Sequence, residues 1–510
     1  MPAMEEAAAA AAAATEPHFL IVTYPAQGHI NPVRHLARRL RRATGARVTV
    51  STAVSAYRKL FPAAAAAAAE EEEVDAGEGR RDAAGVWYVP YSDGYDGGFD
   101  RAVHDHTHYM SQIKVVGSRT LAGVLGRLRA AGRPVTRVVY TLLLSWVADV
   151  ARDHGVPSAI YWIQPAAVLA AYLHFFRGTG GVDTAIAAAA GDPWAAVRVP
   201  GLPEMRLRDL PSFITITSPD DPYAFVLAMF RELVDALGGE DSPTVLVNTF
   251  DAMEPEAVAS LRDHGVDVVP IGPVLSFLDE PPPAAAAGGK NGKSPAPPPS
   301  DNDLFKQNGK VYLEWLDAQA AGTVVYISFG SLSVMSKRQV EEVARAMAES
   351  GRPFLWVLRE DNRSVEGVGD GDVAGAGGER GMVVEWCDQV RVLTHPAVGC
   401  FVTHCGWNST LESVACGVPV VGVPQWTDQT TNAWLVERLG AGVRAAVGDK
   451  DGGVLDAGEL RRCIDFATSE MVRAKAALWR EKARAAAAEG GSSERNLRAF
   501  VAQELAGGKK

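Results

Sequence analysis

Short apolar, β-branched runs alternate with amphipathic helical stretches along this chain, and that alternation admits few folds. His18-Phe-Leu-Ile-Val-Thr-Tyr-Pro25 reads as a buried strand bounded by proline. A turn, Ala26 to Pro32, follows it, with Asn31 suited to cap a helix and Pro32 to its first position. That helix carries Val33, Leu36, Ala37 and Leu40 on one face, and Arg34, Arg38, Arg39 and Arg41 largely on the other. Arg38 to Arg42 is expected to be a solvated basic face. Ala46-Arg-Val-Thr-Val-Ser-Thr52 is the next strand. Strand, helix, strand in that order means a right-handed parallel crossover.

The second half repeats the pattern. Strands are expected at Thr323–Phe329, Phe354–Leu358, Met382–Trp386, Gly399–His404 and Val418–Pro424. Helices are expected at Lys337–Ser350, at Asn408–Cys416 closed by Gly417, and at Thr430–Leu439 closed by Gly440. The fold class is therefore α/β, with two doubly wound parallel-sheet domains facing a cleft. Three segments have too little large apolar surface to offset ordering: 63–81, 281–300 and 367–378. Because βα units resume on both sides of the middle one, it marks the linker. The expected division is a disordered leader (1–17), an N-terminal domain (18–275), a linker (276–308), a C-terminal domain (309–485) and a C-terminal helix and tail (486–510).

Composition narrows the function. Lys and Arg number 50 against 61 Asp and Glu, a net charge of −11, which argues against a nucleic-acid partner but permits a local pocket for a small anion. The 5 cysteines follow no C-x-x-C spacing, so neither a disulfide framework nor a zinc ribbon is indicated and a reducing compartment fits. No apolar run is long enough for a membrane span, and the alanine-rich leader has neither a signal-peptide nor a transit-peptide pattern. A cytoplasmic monomer without stable membrane insertion is expected.

The densest chemistry lies in His404-Cys-Gly-Trp-Asn-Ser-Thr-Leu-Glu412. A strand ending at His404 and a helix starting near Asn408 or Ser409 leave backbone N–H groups free at a positive helix end, an anion site. His404, Asn408 and Ser409 add donors, and Glu412, about one turn on, can accept from a sugar diol. The plainer alternative is a capped helix after a strand, but Trp407 is a poor choice for a mere cap. Trp386, at a strand's carboxyl end, offers a stacking face for a nucleobase, and Gln389 both donates and accepts. Asp428 and Gln429 follow another strand end, suited to a neutral sugar.

From Trp386 to Gln429 the chain resembles the signature box of plant family-1 UDP-sugar glycosyltransferases, including His-Cys-Gly-Trp-Asn-Ser, Gly-Val-Pro and Asp-Gln. The likeness continues at Phe329-Gly330-Ser331 and at Gln27-Gly28-His29-Ile-Asn-Pro32. It implies the two-domain glycosyltransferase-B fold, with donor in the C-terminal half and acceptor in the N-terminal half. By that resemblance Trp386 stacks on uracil, with the Cys387 backbone and Gln389 on its edge. Glu412 takes the ribose hydroxyls. Ser331, His404, Asn408 and Ser409 hold the diphosphate, while Trp407, Asp428 and Gln429 hold the sugar, with Gln429 favouring glucose. His29 is the implied general base, and Trp146 and Gln164 join it as acceptor-side candidates. UDP-glucose is then a substrate, and no cofactor is implied.

The Asp-x-Asp matches Asp301-Asn-Asp303 and Asp370-Gly-Asp372, a pattern that can hold a cation, both fall in low-complexity sequence. His404 and Cys405 lack further zinc ligands. A metal-free displacement with inversion is expected, giving a β-glucoside.

The pattern breaks at the base. Family members commonly place an Asp near position 141 to orient the imidazole; here the strand reads Val138-Val-Tyr-Thr-Leu-Leu-Leu-Ser-Trp146, with Thr141 in its place and Asp149 too far on. Ile163 likewise stands where many members have Thr. A weakened base matters least for an acceptor already ionised, which leans towards glucose esters of carboxylic acids. The Tyr91-Ser-Asp-Gly-Tyr-Asp-Gly-Gly-Phe99 stretch resembles the subgroup of auxin-type and crocetin carboxyl glucosyltransferases, but also of anthocyanin 5-O-glucosyltransferases, so phenolic acceptors stay open. A non-catalytic protein holding a UDP-sugar or hormone is the alternative. A nicotinamide oxidoreductase is excluded, because Ala26-Gln-Gly-His lacks the G-x-G-x-x-G turn.

Overall fold

Every residue of β1 (His18–Val22) is buried, as expected of a parallel strand covered by helices on both faces. This computed structural model describes residues 16–62, 79–100, 103–216, 218, 221, 223–238, 243–278, 311–331, 333–359, 362, 380–447 and 453–507. Most of the expected leader and linker, the 281–300 and 367–378 tracts, residues 63–78 of the first insertion, Asp301-Asn-Asp303 and Asp370-Gly-Asp372 lie outside these residues.

The N-terminal half supplies β2 (Arg47–Ser51), β3 (Arg80–Arg81), β4 (Trp87–Tyr88), β5 (Arg137–Thr141) and β6 (Ser158–Trp162), then a two-stranded ribbon of β7 (Ala196–Val197) and β8 (Met205–Arg206), then β9 (Thr244–Val247) and β10 (Val268–Pro270). Its sheet runs β10-β9-β6-β5-β1-β2-β4-β3, parallel except for the short β3. The C-terminal half supplies β11 (Val324–Ser328), β12 (Phe354–Val357), β13 (Gly381–Val384), β14 (Val398–Thr403), β15 (Val420–Gly422) and β16 (Gly442–Arg444), in the all-parallel order β13-β12-β11-β14-β15-β16. These are the two doubly wound sheets that the sequence indicates.

Strand order fixes where ligands can enter. In the first sheet the chain leaves β1 towards β2 and later returns to β5 on the other side. In the second it leaves β11 towards β12 and returns to β14. The crevices beyond the carboxyl ends of β1/β5 and of β11/β14 are therefore the two topological switch points.

Three local readings need correction. The first helix spans Gln27–Thr44, so it starts four residues before the expected Asn31 cap and holds Pro32 inside it. The strand before Trp146 stops at Thr141, since Leu143 adopts a φ of 73° and turns the chain. The basic helix face is not uniformly solvated. Arg39 is wholly buried and donates to the carbonyls of Pro273 at 3.0 Å and Ala487 at 3.1 Å.

The reason for the Arg39 burial is a crossing that local sequence does not reveal. The helix Ser492–Gly507 returns to the N-terminal half, where Asn496 Nδ2 donates to the Pro270 carbonyl at 2.8 Å and Phe500 lies 6.0 Å from Phe19. Arg39 ties the start of that crossing to the first sheet. Replacing it with Met leaves two buried carbonyls without donors, at about 1–3 kcal/mol each. Arg39→Met should lower unfolding stability by about 2–5 kcal/mol in denaturant titration, with hydrogen exchange rising first in 492–507.

Candidate active site

A cavity of about 1310 Å³ lies between the two sheets and draws its lining from both. On the N-terminal side, His29 sits in the first turn of the helix after β1. Its Nδ1 is 3.3 Å from Thr141 Oγ1 at the end of β5, so the switch point is closed by this one pair. Tyr24 packs against the imidazole at 5.3 Å between ring centres. Desolvation alone holds the His29 pKa down to about 4.

On the opposite side, His404 follows β14 and packs between Gly330 and Gly406. A Cβ at Gly330 would meet the imidazole Cε1 at 2.6 Å, and one at Gly406 would meet Nε2 at 2.7 Å. Both positions must be glycine for the ring to occupy this seat. Burial, reinforced by the Arg359 guanidinium, pushes His404 down to about 4. Arg359 also donates to the carbonyls of Gly330 and Ser333, holding the loop after β11 in place.

The helix Trp407–Cys416 has Gly406 as its N-cap and no side-chain cap, which leaves its amino-terminal N–H groups to the cavity. Within the cavity wall, Gln389 Nε2 donates to Ser409 Oγ at 2.8 Å and to Glu412 Oε2 at 2.7 Å, while its Oε1 accepts from Tyr326 at 3.2 Å. Asp428 accepts from Thr427 Oγ1 at 2.6 Å and from Asn432 Nδ2 at 2.7 Å, and burial raises its pKa. Gln429 Oε1 caps the N–H groups of Gln425 and Trp426, at 2.9 and 3.2 Å.

The halves are joined across the cleft. A helical N–H at position 32 would bond to the carbonyl of Gly28, but proline has none. Asn408 Nδ2 donates to that carbonyl instead, at 3.0 Å. Trp407 Nε1 donates to the Asn248 carbonyl at 2.8 Å, and Ser212 and Thr427 exchange two further bonds, at 2.9 and 2.7 Å. Two strand-end positions of the cleft wall, Leu143 and Thr427, adopt positive φ (73° and 58°), as does Cys405 (62°) beside His404. Such strain concentrates at functional sites.

Residues 304–455 match the family described as UDP-glucoronosyl and UDP-glucosyl transferase. The chain is 43% identical over 494 residues to a chloroplastic crocetin glucosyltransferase of Gardenia jasminoides, covering 95% of this chain and 96% of that one. This chain belongs to that transferase family. It is also 40% identical to anthocyanidin 3-O-glucoside 5-O-glucosyltransferase 1 of Perilla frutescens, covering 95% and 98% of the two chains. Among solved structures, Os79 of O. sativa in complex with UDP superposes with a TM-score of 0.77 at 31% identity, covering 95% of this chain and 100% of that one. The glycosyltransferase-B architecture follows.

The family cleft here gathers nearly all the residues singled out in the sequence. His29, Gln164, Ser331, Trp386, Cys387, Gln389, His404, Trp407, Asn408, Ser409, Glu412, Asp428 and Gln429 all line it. Trp146 does not: it is buried against Gly117 and Tyr91, away from the cavity. The chain turns at Leu143, and Trp146 is the first residue of the helix that follows. Gln389 is hydrogen-bonded to Ser409 and Glu412, and Trp407 donates its indole N–H to the other half.

Sequence reading missed Tyr326, Arg359 and the aromatic wall of Phe99, Tyr109, Phe213 and Phe225, which comes from separated segments with no shared spacing. Gln27 Oε1 and Gln164 Oε1 are buried without partners at the same cavity, two acceptors short of a donor. All 5 cysteines are free, and no described helix is long and apolar enough to cross a membrane. Among the described residues, no group of three His, Cys, Asp or Glu could hold a metal ion.

The seat of His404 supplies a direct test. Gly330→Ala should displace the imidazole while the chain still folds. Calorimetric affinity for UDP should fall tenfold or more, about 1.4 kcal/mol.

Proposed function

We propose that this chain is an inverting UDP-glucose-dependent O-glucosyltransferase acting on a small lipophilic plant metabolite, either a carboxylic acid of the auxin type or a phenolic hydroxyl. The observation that carries the reading is the meeting of two switch points in one cavity, with an imidazole on one side and an open helix N-terminus on the other. Family membership supports it, as do the UDP in the Os79 complex and the glucosyl transfer named for the Gardenia and Perilla relatives.

In this reading Trp386 lies under uracil, with the Cys387 backbone at its edge. Glu412 takes the ribose hydroxyls with Gln389 braced against it. Ser331, His404, Asn408 and Ser409 surround the diphosphate. Asp428 and Gln429 meet glucose, backed by Trp407, and His29 and Gln164 face the acceptor. Residues 18–275 would serve the acceptor and 309–485 the donor, joined by 276–308.

The chemistry is one displacement at the anomeric carbon. As the bond to the β-phosphate oxygen breaks, negative charge grows on the departing diphosphate. The N-terminus of helix Trp407–Cys416 and the donors beside it meet that charge without requiring a cation. For a hydroxyl acceptor, His29 is the group placed to take the proton. Carboxylic acids, with pKa near ~4, arrive ionised at pH 7, whereas phenols near ~10 do not. A reducing, cytosolic setting suits five unpaired cysteines.

Incubation with UDP-glucose and either an arylacetic acid or a flavonoid should give a product heavier by one hexose, with UDP released and the rate unmoved by EDTA. A protein that only binds would retain UDP-glucose affinity yet release no UDP with any acceptor, and that result would sink the catalytic reading.

A further inference from the structure

Thr141 is wholly buried at the end of β5, and its hydroxyl has two partners. Its oxygen accepts the backbone N–H of Tyr24 at 3.4 Å and faces Nδ1 of His29 at 3.3 Å. A hydroxyl also has one proton to donate. Tyr24 N is itself a donor and Thr141 is wholly buried, so of its two partners the one able to accept that proton is the Nδ1 lone pair. A neutral imidazole that accepts at Nδ1 carries its proton on Nε2. Nε2 has no protein partner among the described residues, yet it is not one of the sealed orphan atoms, so it opens on the cavity that His29 lines. An aspartate at position 141 would impose the reverse: it could only accept, drawing the proton to Nδ1 and leaving a lone pair on Nε2.

We propose that Thr141 is a positioning residue that holds His29 in the Nε2–H tautomer, so that His29 meets the acceptor as a hydrogen-bond donor and the site is matched to acceptors that arrive ionised, carboxylates above all. The proposal rests on the glucosyl-transfer reading above. In the step it describes, a lone pair of one carboxylate oxygen forms the bond to the anomeric carbon. The bond from that carbon to the β-phosphate oxygen breaks, and its electron pair leaves with UDP. No proton leaves the acceptor, and none has to be lodged on His29. The Nε2–H steadies the carboxylate and aims it.

A hydroxyl acceptor makes the opposite demand. Its proton must go to Nε2, which requires Nδ1–H to point at Thr141 and leaves the threonine proton without an acceptor. The imidazolium so formed faces the Tyr24 ring and the Thr141 hydroxyl, neither of them an anion. Burial opposes that charge as well, in keeping with the lowered pKa of His29.

Two measurements on the full chain test this. In 15N–1H correlation spectra of histidine-labelled protein, with His29 assigned by its loss in His29→Gln, the wild type should show Nε2–H and Thr141→Asp should show Nδ1–H. Wild-type Nδ1–H would overturn the proposal whatever the activity. In parallel, turnover of an arylacetic acid is compared with that of a phenol of similar shape. The ester-to-glucoside ratio should fall at least about tenfold in Thr141→Asp, a modest part of the roughly 10²–10⁴-fold that general-base catalysis supplies; a ratio that holds or rises would overturn it. Should Thr141→Asp fail to fold, Thr141→Val serves, with the Nε2–H preference expected to weaken and an undiminished preference counting against the proposal. Absence of UDP release with every acceptor would instead indict the transferase reading, since the tautomer is read without turnover.

Discussion

Proline at position 32 removes one backbone donor, and much of the active cleft follows from where the stranded carbonyl goes. Inside the helix Gln27–Thr44 the carbonyl of Gly28 has no N–H four residues on, so it takes its donor from Asn408 in the opposite half. Gly28 immediately precedes His29, and Asn408 lies in the first turn of the helix Trp407–Cys416 that faces the cavity. One hydrogen bond thus sets the imidazole of one sheet against the anion site of the other. A regular helix here would have satisfied its own carbonyl and left the two halves without this register.

The same economy appears at both switch points. His29 reaches from the end of β1 to Thr141 at the end of β5, and His404 reaches from β14 to pack on Gly330 after β11. Each histidine therefore closes the crevice of its own sheet while presenting an edge to the common cavity. Burial holds both pKa values down to about 4, so neither brings a fixed positive charge into the cleft. The positive character at that wall comes instead from backbone N–H groups at the helix terminus, whose partial charges do not vary with pH. Interdomain bonds from Trp407, Ser212 and Thr427 then hold the cavity walls at a fixed separation.

Much of the site was legible before folding because its residues are clustered. Trp386 to Gln429 is one stretch that follows the end of β13 and contains the ends of β14 and β15, and the carboxyl ends of parallel strands emerge on one edge of the sheet. His29 was legible for the same reason, one turn past β1. Trp146 and Arg39 were not. Their surroundings are set by Leu143, which ends the strand early, and by a C-terminal helix that comes back across more than four hundred residues of sequence. Gln389 shows a subtler limit: its type and place were clear, but an amide with free neighbours bonds to whichever side chains packing brings, here Tyr326, Ser409 and Glu412.

By itself the sequence determined the alternation of strands and helices, hence two parallel sheets, hence a ligand crevice at each. It also determined the chemistry offered there, because side-chain type is local information. Only the tertiary structure decided how the two crevices face each other, which aromatic residues wall the N-terminal side of the cavity, and that the threonine at position 141 lies within hydrogen-bonding reach of His29. Those depend on distances between groups far apart along the chain. Such distances are set by packing, which no local pattern encodes.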